Sequence, residues 1–183
     1  DGSLPDFSPI VDLNRFKLYG IRDKGFYGYN FVPCASCMSP LLDGAYKKNP
    51  TRKIGTIFRE DNIRDETRFI LGNVENITHY KNYPDVIDFI SDHEYVVTTS
   101  YHGALWATLA NRKVIVPASL KFGFKYNHYG FPLKFIDDVT NREMLDRAMS
   151  EVQSHPEVLS EFRELNYKFF EQVKNIVREA IPV

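Results

Sequence analysis

The stretch that decides the fold is YVVTTSYHGALWATLANRKVIVP, which occupies residues 95–117. Its first five residues are rich in β-branched side chains and predict a strand at 95–99. The Ala- and Leu-rich residues that follow predict a helix at 101–110, and the almost wholly apolar Lys113–Pro117 predicts a strand covered on both faces. This order predicts a βαβ unit with parallel strands.

The alternation of strand and helix patterns continues on both sides of this unit. Apolar runs predict further strands at 53–58, 76–80 and 133–136. Apolar residues at helical spacing predict further helices at 61–71, 84–92, 141–153 and 155–181. The last helix is long and amphipathic. We therefore predict an α/β fold, a Rossmann-like parallel sheet of about five strands with helices on both faces.

The N-terminal part of the chain has a different character, because prolines and glycines interrupt its short apolar runs. We divide the sequence into an irregular N-terminal segment, 1–50, and a Rossmann-like α/β domain with a long C-terminal helix, 51–183. The first residues include no Met, no basic flank and no apolar run, so we expect no signal peptide. We expect the sequence to be a piece of a longer protein.

Composition excludes several classes of protein. The 183 residues are 43% hydrophobic and include 14 Phe and 11 Tyr, which is too many for a disordered chain. The net charge of −1 gives no global basic field for nucleic acid or an anionic membrane, so anion binding must be local. No apolar run approaches the roughly 20 residues that a membrane-spanning helix needs. With only two cysteines, we expect a cytoplasmic protein.

The turn after the strand at 95–99 is the most informative candidate site. In open α/β sheets ligands bind beyond the carboxyl ends of the strands, and the first-turn amides of the next helix favour an anion. Thr99 and Ser100 add hydroxyl groups, His102 adds a group that titrates near neutral pH, and Gly103 leaves room for a ligand near the backbone. The alternative is that Ser100 is only a helix cap and His102 only a turn residue.

Basic side chains follow two other predicted strands, those at 53–58 and 113–117. Arg59 directly follows the strand at 53–58 and is suited to bidentate binding of a carboxylate or phosphate. The alternative is that it forms a surface ion pair with an adjacent acidic residue. Lys121 and Lys125 lie in an aromatic loop at 119–131. That loop either holds an anion or packs on a partner domain.

The two cysteines, Cys34 and Cys37, lie three residues apart within the irregular segment. They are a redox pair, half of a metal site or two structural thiols. A redox motif normally opens a helix directly after a strand, and Pro33 and Pro40 flank this one, so the sequence favours structural thiols. Two cysteines do not form a closed four-ligand zinc site, and we predict no metal.

Residues 97–117 resemble the signature of the polysaccharide pyruvyl transferase family, which is a strand, a polar turn ending in His-Gly, an Ala-rich helix, a small polar turn and an apolar strand ending in Pro. Residues 18–23, LYGIRD, resemble the VRD element of that family. Residues 32–40, VPCASCMSP, are similar to a segment of its bacterial exopolysaccharide branch. The resemblance covers roughly residues 18–150.

The resemblance implies one half of a GT-B fold and transfer of a pyruvyl group from phosphoenolpyruvate to a sugar, as a ketal, in exopolysaccharide or capsule synthesis. It implies no cofactor. His102 becomes the candidate catalytic residue, as general acid or anion anchor, and the candidate donor-binding residues are Arg59, Thr99, Ser100, Gly103, Lys121 and Lys125. Active family members often carry Arg-x-His-Gly at the turn, where this chain has Ser100.

Two other hypotheses stay open at this stage. The first is a glycosyltransferase that binds a nucleotide-sugar donor at the same helix N-terminus. The second is a non-catalytic GT-B-like module whose aromatic loop is an interaction surface. Because half of such a fold exposes the surface that its other half would cover, we also expect a homodimer. We expect no nucleic-acid partner.

Overall fold

The computed structural model describes residues 15–22, 30–58, 74–78, 81–117 and 133–180. These residues include a five-stranded sheet in which every neighbouring pair is parallel. Its strands are β1 (Arg52–Phe58), β2 (Glu75–Thr78), β3 (His93–Thr98), β4 (Lys113–Pro117) and β5 (Lys134–Ile136). The predicted parallel sheet is confirmed, and each strand lies within two residues of its predicted start.

The helices also follow the prediction closely. Those described are α1 (Leu41–Lys47), α2 (Tyr83–Asp92), α3 (Tyr101–Leu109), α4 (Arg142–Glu151) and α5 (Val158–Ala180), with a 3-10 turn at Ala35–Met38. Within the segment predicted as irregular, the structure thus has a short helix, α1. The helix predicted at 61–71 lies outside the described residues. None of the helices that the structure describes is long and apolar enough to cross a membrane.

Alternate residues of the strands supply two separate cores, because successive side chains of a strand point to opposite faces. One face buries Ile57, Val96, Val114 and Val116 against apolar residues of α1, α2, α3 and α5. The other face buries a second set, which packs with Leu145 and Ala148 of α4, namely Phe58, Tyr95, Val97 and Ile115. The predicted helices on both faces of the sheet are therefore confirmed.

The strand order is β2-β1-β3-β4-β5. The chain leaves β1 toward one edge of the sheet to form β2, and then returns to the other side of β1 to form β3. In open α/β sheets this reversal opens a crevice at the carboxyl ends of the two strands beside it. The fold therefore points to the residues that follow β1 and β3, and α3 begins directly at this place.

The helix α5 holds the residues before α1 against the sheet. Arg163 binds Asp43 through both carboxylate oxygens, at 2.6 and 3.2 Å, and donates to the carbonyl oxygens of Cys37 and Ser39 at 2.8 and 3.0 Å. From the next turn, the side-chain amide of Asn166 donates to the Pro33 carbonyl oxygen at 3.1 Å. Residues 30–40, which we call the cysteine segment, are thereby fixed on the α3 side of the sheet.

Only the first part of α5 is used in this packing. Val158, Leu159 and Phe162 are buried. The predicted apolar stripe continues beyond Phe162, where its members are half-buried or exposed, namely Leu165, Phe169 and Ile176 half-buried and Val173 and Val177 exposed. The amphipathic pattern thus predicted the helix correctly, although the later members of its apolar stripe are only half-buried or exposed in the described chain.

Substitution of two glycines by alanine should change stability in opposite directions. In Gly55→Ala the new Cβ would lie 2.7 Å from a ring atom of His93 and 2.8 Å from one of Phe89. We expect the free energy of unfolding to fall by about 1–3 kcal/mol because of this overpacking. In Gly44→Ala the new Cβ meets nothing within 4 Å, and loss of a helical glycine should raise stability by about 0.5–1 kcal/mol. Urea denaturation measures both, and changes of the same sign would contradict this packing.

Candidate functional site

The turn between β3 and α3, residues 99–103, is tied to the neighbouring strand by one buried hydroxyl. The Thr98 side chain donates to the carbonyl oxygen of Ile57 in β1 at 2.7 Å and accepts from the amide of Ser100 at 2.9 Å. Thr98 has no solvent exposure. The start of α3 is therefore fixed beside the carboxyl end of β1, at the place where the strand order reverses.

Ser100 caps α3. Its hydroxyl oxygen accepts from the amide of Gly103 at 3.2 Å, and its own carbonyl oxygen accepts from Ala104 at 3.0 Å. The side chain is thus in the role of a helix cap, which was one of the two alternatives for this residue. The other first-turn amides belong to Tyr101 and His102, and such amides have no partner within the helix itself.

Gly103 serves close packing of α3 on the sheet. A Cβ atom at this position would lie 2.6 Å from the Thr98 hydroxyl oxygen and 3.3 Å from the Ile57 Cγ2 atom. Protein atoms therefore leave no room for a side chain on this face of Gly103. The physical reason for glycine here is the short distance between the first turn of α3 and strands β1 and β3.

Thr99 carries a buried hydroxyl group at the α3 turn. Its residue is buried, and its Oγ1 atom has no hydrogen-bond partner among the described residues. A buried hydroxyl without a partner is destabilising, so such groups are uncommon unless a ligand or water satisfies them. The structure thus leaves one polar atom at the carboxyl edge of β3 available for a ligand.

The His102 ring contacts two aromatic rings, those of Trp106 and Tyr101. Its ring is tilted by 31° over the Trp106 ring at a centroid distance of 5.1 Å, and the Tyr101 ring meets it edge-on at 5.2 Å. The guanidinium carbon of Arg22 lies 4.1 Å from the centroid of the Tyr101 ring, a cation–π contact. Arg22 therefore brings a positive charge to the α3 turn, which the sequence analysis did not predict.

The second neighbour of His102 is a thiol from the cysteine segment. The Nε2 atom of His102 lies 3.9 Å from the Sγ atom of Cys34. The Ser36 hydroxyl donates to the same sulfur at 3.3 Å, and its oxygen accepts from the indole N–H of Trp106 at 3.0 Å. An indole N–H only donates, so the single proton of Ser36 is directed toward the sulfur. Cys34, Ser36, His102 and Trp106 thus form one polar cluster.

The two cysteines differ strongly in their electrostatics. The hydrogen bond with His102, supported by Ser36, lowers the pKa of Cys34 to about 6 in spite of partial burial. Burial raises the pKa of Cys37 to about 11. Cys37 is fully buried, and its sulfur accepts from Asn166 at 3.2 Å. Cys37 therefore has the surroundings of a structural thiol, whereas Cys34 has those of a reactive one.

Three predicted site residues, Arg59, Lys121 and Lys125, lie outside the described residues. Thr99, Ser100, His102 and Gly103 come together at the α3 turn, as their spacing requires. Within the described ranges, no group of three or more His, Cys, Asp or Glu side chains is arranged to hold a metal ion.

A large groove lies elsewhere on the molecule. It has a volume of about 980 Å³ and runs between α1 and α5, where Tyr46, Leu159 and Tyr167 line it. None of the predicted site residues contributes to this groove. Its size alone therefore does not make it the functional site, because the polar cluster and the crevice of the sheet lie at the α3 turn.

The residues that sequence reasoning missed at this site are Arg22, Cys34, Ser36 and Trp106. Cys34 and His102 are 68 residues apart in the chain, so no spacing rule links them. One local signal was present, since Cys34 and Ser36 stand in a motif that the βαβ pattern does not require. Only the packing of the cysteine segment against α3 shows that His102 is the partner of Cys34.

Comparison with known proteins identifies a family. The family model described as polysaccharide pyruvyl transferase matches residues 17–117. The match extends from the element that contains Arg22, through the cysteine segment and the α3 turn, to the end of β4. It covers more than half of the chain. No curated protein and no solved structure matches the sequence significantly.

Adjacent threonines of the turn should respond differently to loss of the hydroxyl. Thr98→Val leaves the Ile57 carbonyl oxygen and the Ser100 amide without their buried partner, so we expect the free energy of unfolding to fall by about 1–3 kcal/mol. Thr99→Val removes a buried hydroxyl that has no partner in the described chain, so we expect the free energy of unfolding to stay the same or to rise. Chemical denaturation of the two variants compares them, and a larger loss for Thr99→Val would refute this arrangement.

Proposed function

The chain belongs to the polysaccharide pyruvyl transferase family, and we propose on that premise that it transfers a pyruvyl group from phosphoenolpyruvate to a sugar. The product is a ketal of an exopolysaccharide or capsule saccharide. The observation that carries the proposal is the place of His102, in the first turn of the helix that starts beside the reversal of strand order. A donor with a carboxylate and a phosphate group suits this place, because first-turn amides and the helix dipole favour negative groups.

Arg22 supports the binding of such a donor. Active members of the family often have an arginine where this chain has Ser100, and Ser100 is buried as the cap of α3. Arg22 is exposed and reaches the same turn from the other side, over the ring of Tyr101. We assign it the charge that the turn itself lacks, because a guanidinium binds carboxylate or phosphate in a bidentate manner. Arg59, Lys121 and Lys125 stay candidate donor ligands.

The proposed chemistry begins with proton transfer by His102. The imidazolium gives its proton to the methylene carbon of the donor, and the electron pair of the double bond forms the new C–H bond. One sugar hydroxyl adds to the resulting cationic carbon, and phosphate leaves with its oxygen. A second hydroxyl of the same sugar then closes the ketal. The two hydroxyl protons return to His102 and to the released phosphate, so that the enzyme is restored.

Donor binding is tested without knowledge of the acceptor. Phosphoenolpyruvate should raise the melting temperature of the full-length protein, because a ligand that binds only the folded state stabilises it. Arg22→Gln should abolish most of this increase. Arg142→Gln, which changes an exposed arginine on α4, should leave it intact.

Two results would contradict donor binding by phosphoenolpyruvate. Stabilisation by a nucleotide sugar instead would favour the glycosyltransferase hypothesis. Stabilisation by neither compound, at concentrations up to the millimolar range, would favour a non-catalytic module.

The catalytic role of His102 predicts a large loss of rate. In His102→Gln, we expect release of phosphate from phosphoenolpyruvate, in the presence of a panel of saccharide acceptors, to be about 100- to 10,000-fold slower. His155→Gln provides a matched control, since His155 precedes α5 and contacts Glu157 at 3.5 Å. A rate in His102→Gln equal to that of the control would refute general acid catalysis by this residue.

A further inference from the structure

The proposed transfer does not use the thiol that faces His102. The Cys34 sulfur has a polar neighbour on each side, His102 Nε2 at 3.9 Å and the Ser36 hydroxyl at 3.3 Å. The Ser36 oxygen accepts a hydrogen bond from the indole N–H of Trp106, so the Ser36 proton points at the sulfur. Both neighbours can therefore donate to the sulfur, and this arrangement stabilises a negative charge there.

We propose that Cys34 is a modification site, a thiolate paired with protonated His102 that reacts with hydroperoxides to give a sulfenic acid. The site consists of residues from two distant segments, and nothing in the pyruvyl transfer requires it. The inference rests on the geometry of the cluster and not on the proposed function. A thiolate that is partly exposed and next to a cationic donor is the form of cysteine that reacts with peroxide.

The groups that face Cys34 favour this charge state. His102 lies on α3 and Ser36 on the 3-10 turn, and together they lower the pKa of the thiol to about 6. The other titratable neighbours are Cys37 and Tyr83, whose pKa values are both raised, chiefly by burial. Cys37 and Tyr83 thus stay protonated and neutral at pH 7, and His102 is the one group among these that supplies a counter-charge.

The reaction balances with His102 as the proton donor. The thiolate sulfur attacks one oxygen of the hydroperoxide, an S–O bond forms and the O–O bond breaks. The leaving oxygen takes the proton of the imidazolium and departs as water or an alcohol. The sulfur is oxidised by two electrons and the peroxide is reduced by two, which leaves a neutral sulfenic acid beside a neutral imidazole.

Cys37 provides an internal control in the same chain. It is fully buried, accepts a hydrogen bond from Asn166 and has a raised pKa. It therefore lacks both the access and the charge that reaction requires. A reagent that modifies Cys34 and leaves Cys37 untouched therefore distinguishes the partly exposed thiol beside His102 from the buried, neutral one.

The pH dependence of alkylation tests the proposal directly. Iodoacetamide reacts with the thiolate, so the labelling rate of Cys34, followed by mass spectrometry of peptides, should rise with a midpoint near pH 6 and level off above about pH 7. At pH 7, hydrogen peroxide followed by dimedone should give one adduct, on Cys34. Cys37 should stay unlabelled in the folded protein and become labelled in urea.

Variants identify the cause of the low midpoint. His102→Gln should move it toward the value of an ordinary thiol, about pH 8.5. At pH 6 its rate should fall about 15-fold, since the thiolate fraction falls about 150-fold while the more basic thiolate recovers about tenfold in nucleophilicity. Ser36→Ala should move the midpoint upward by a smaller amount, and Cys37→Ser should leave it unchanged.

Three results would overturn the proposal. The first is a midpoint at pH 8 or above in the wild-type protein, a measurement that needs no variant. The second is equal labelling of both cysteines, or labelling of neither, in the folded state. The third is an unchanged midpoint in folded His102→Gln. None of these measurements involves a donor or an acceptor, so the outcome is independent of whether the protein transfers pyruvyl groups.

Discussion

The hydroxyl of Thr98 joins the last residue of one strand to the carbonyl oxygen of another and to the amide that starts α3. The position of α3 depends on this single group, because it fixes the turn that follows β3 beside β1. Gly103 allows the close approach that the bond requires. His102 is then held at the crevice of the sheet by backbone geometry, and its ring is oriented by stacking on Trp106.

A second set of contacts completes the site from a distance. Arg163 and Asn166 of α5 bind backbone oxygens of the cysteine segment, and buried Arg112 donates to the carbonyl oxygens of Ala45 and Lys48 at the end of α1. Backbone carbonyl groups in irregular segments need such donors when they are covered. The terminal helix thereby places Cys34 against His102, although α5 itself contributes no side chain to the polar cluster.

The sequence predicted those features that depend on local patterns. The β-branched run at 95–99 and the apolar run at 113–117 predicted the parallel strands, and a helix cap was one of the two alternatives for Ser100. The sequence did not predict that Gly103 also serves close packing, since the spacing of residues does not reveal how close a helix lies to a strand. The contacts of Arg22 and Cys34 join segments far apart in the chain, so only the folded arrangement shows them.

Trp106 is the single tryptophan of the chain, and its ring is stacked on His102 while its N–H binds Ser36. A protonated imidazole in contact with an indole accepts an electron from its excited state and quenches its emission. All of the tryptophan emission of this protein therefore comes from the polar cluster. Its intensity is an optical signal from the contacts that Trp106 makes with His102 and Ser36, available without any label.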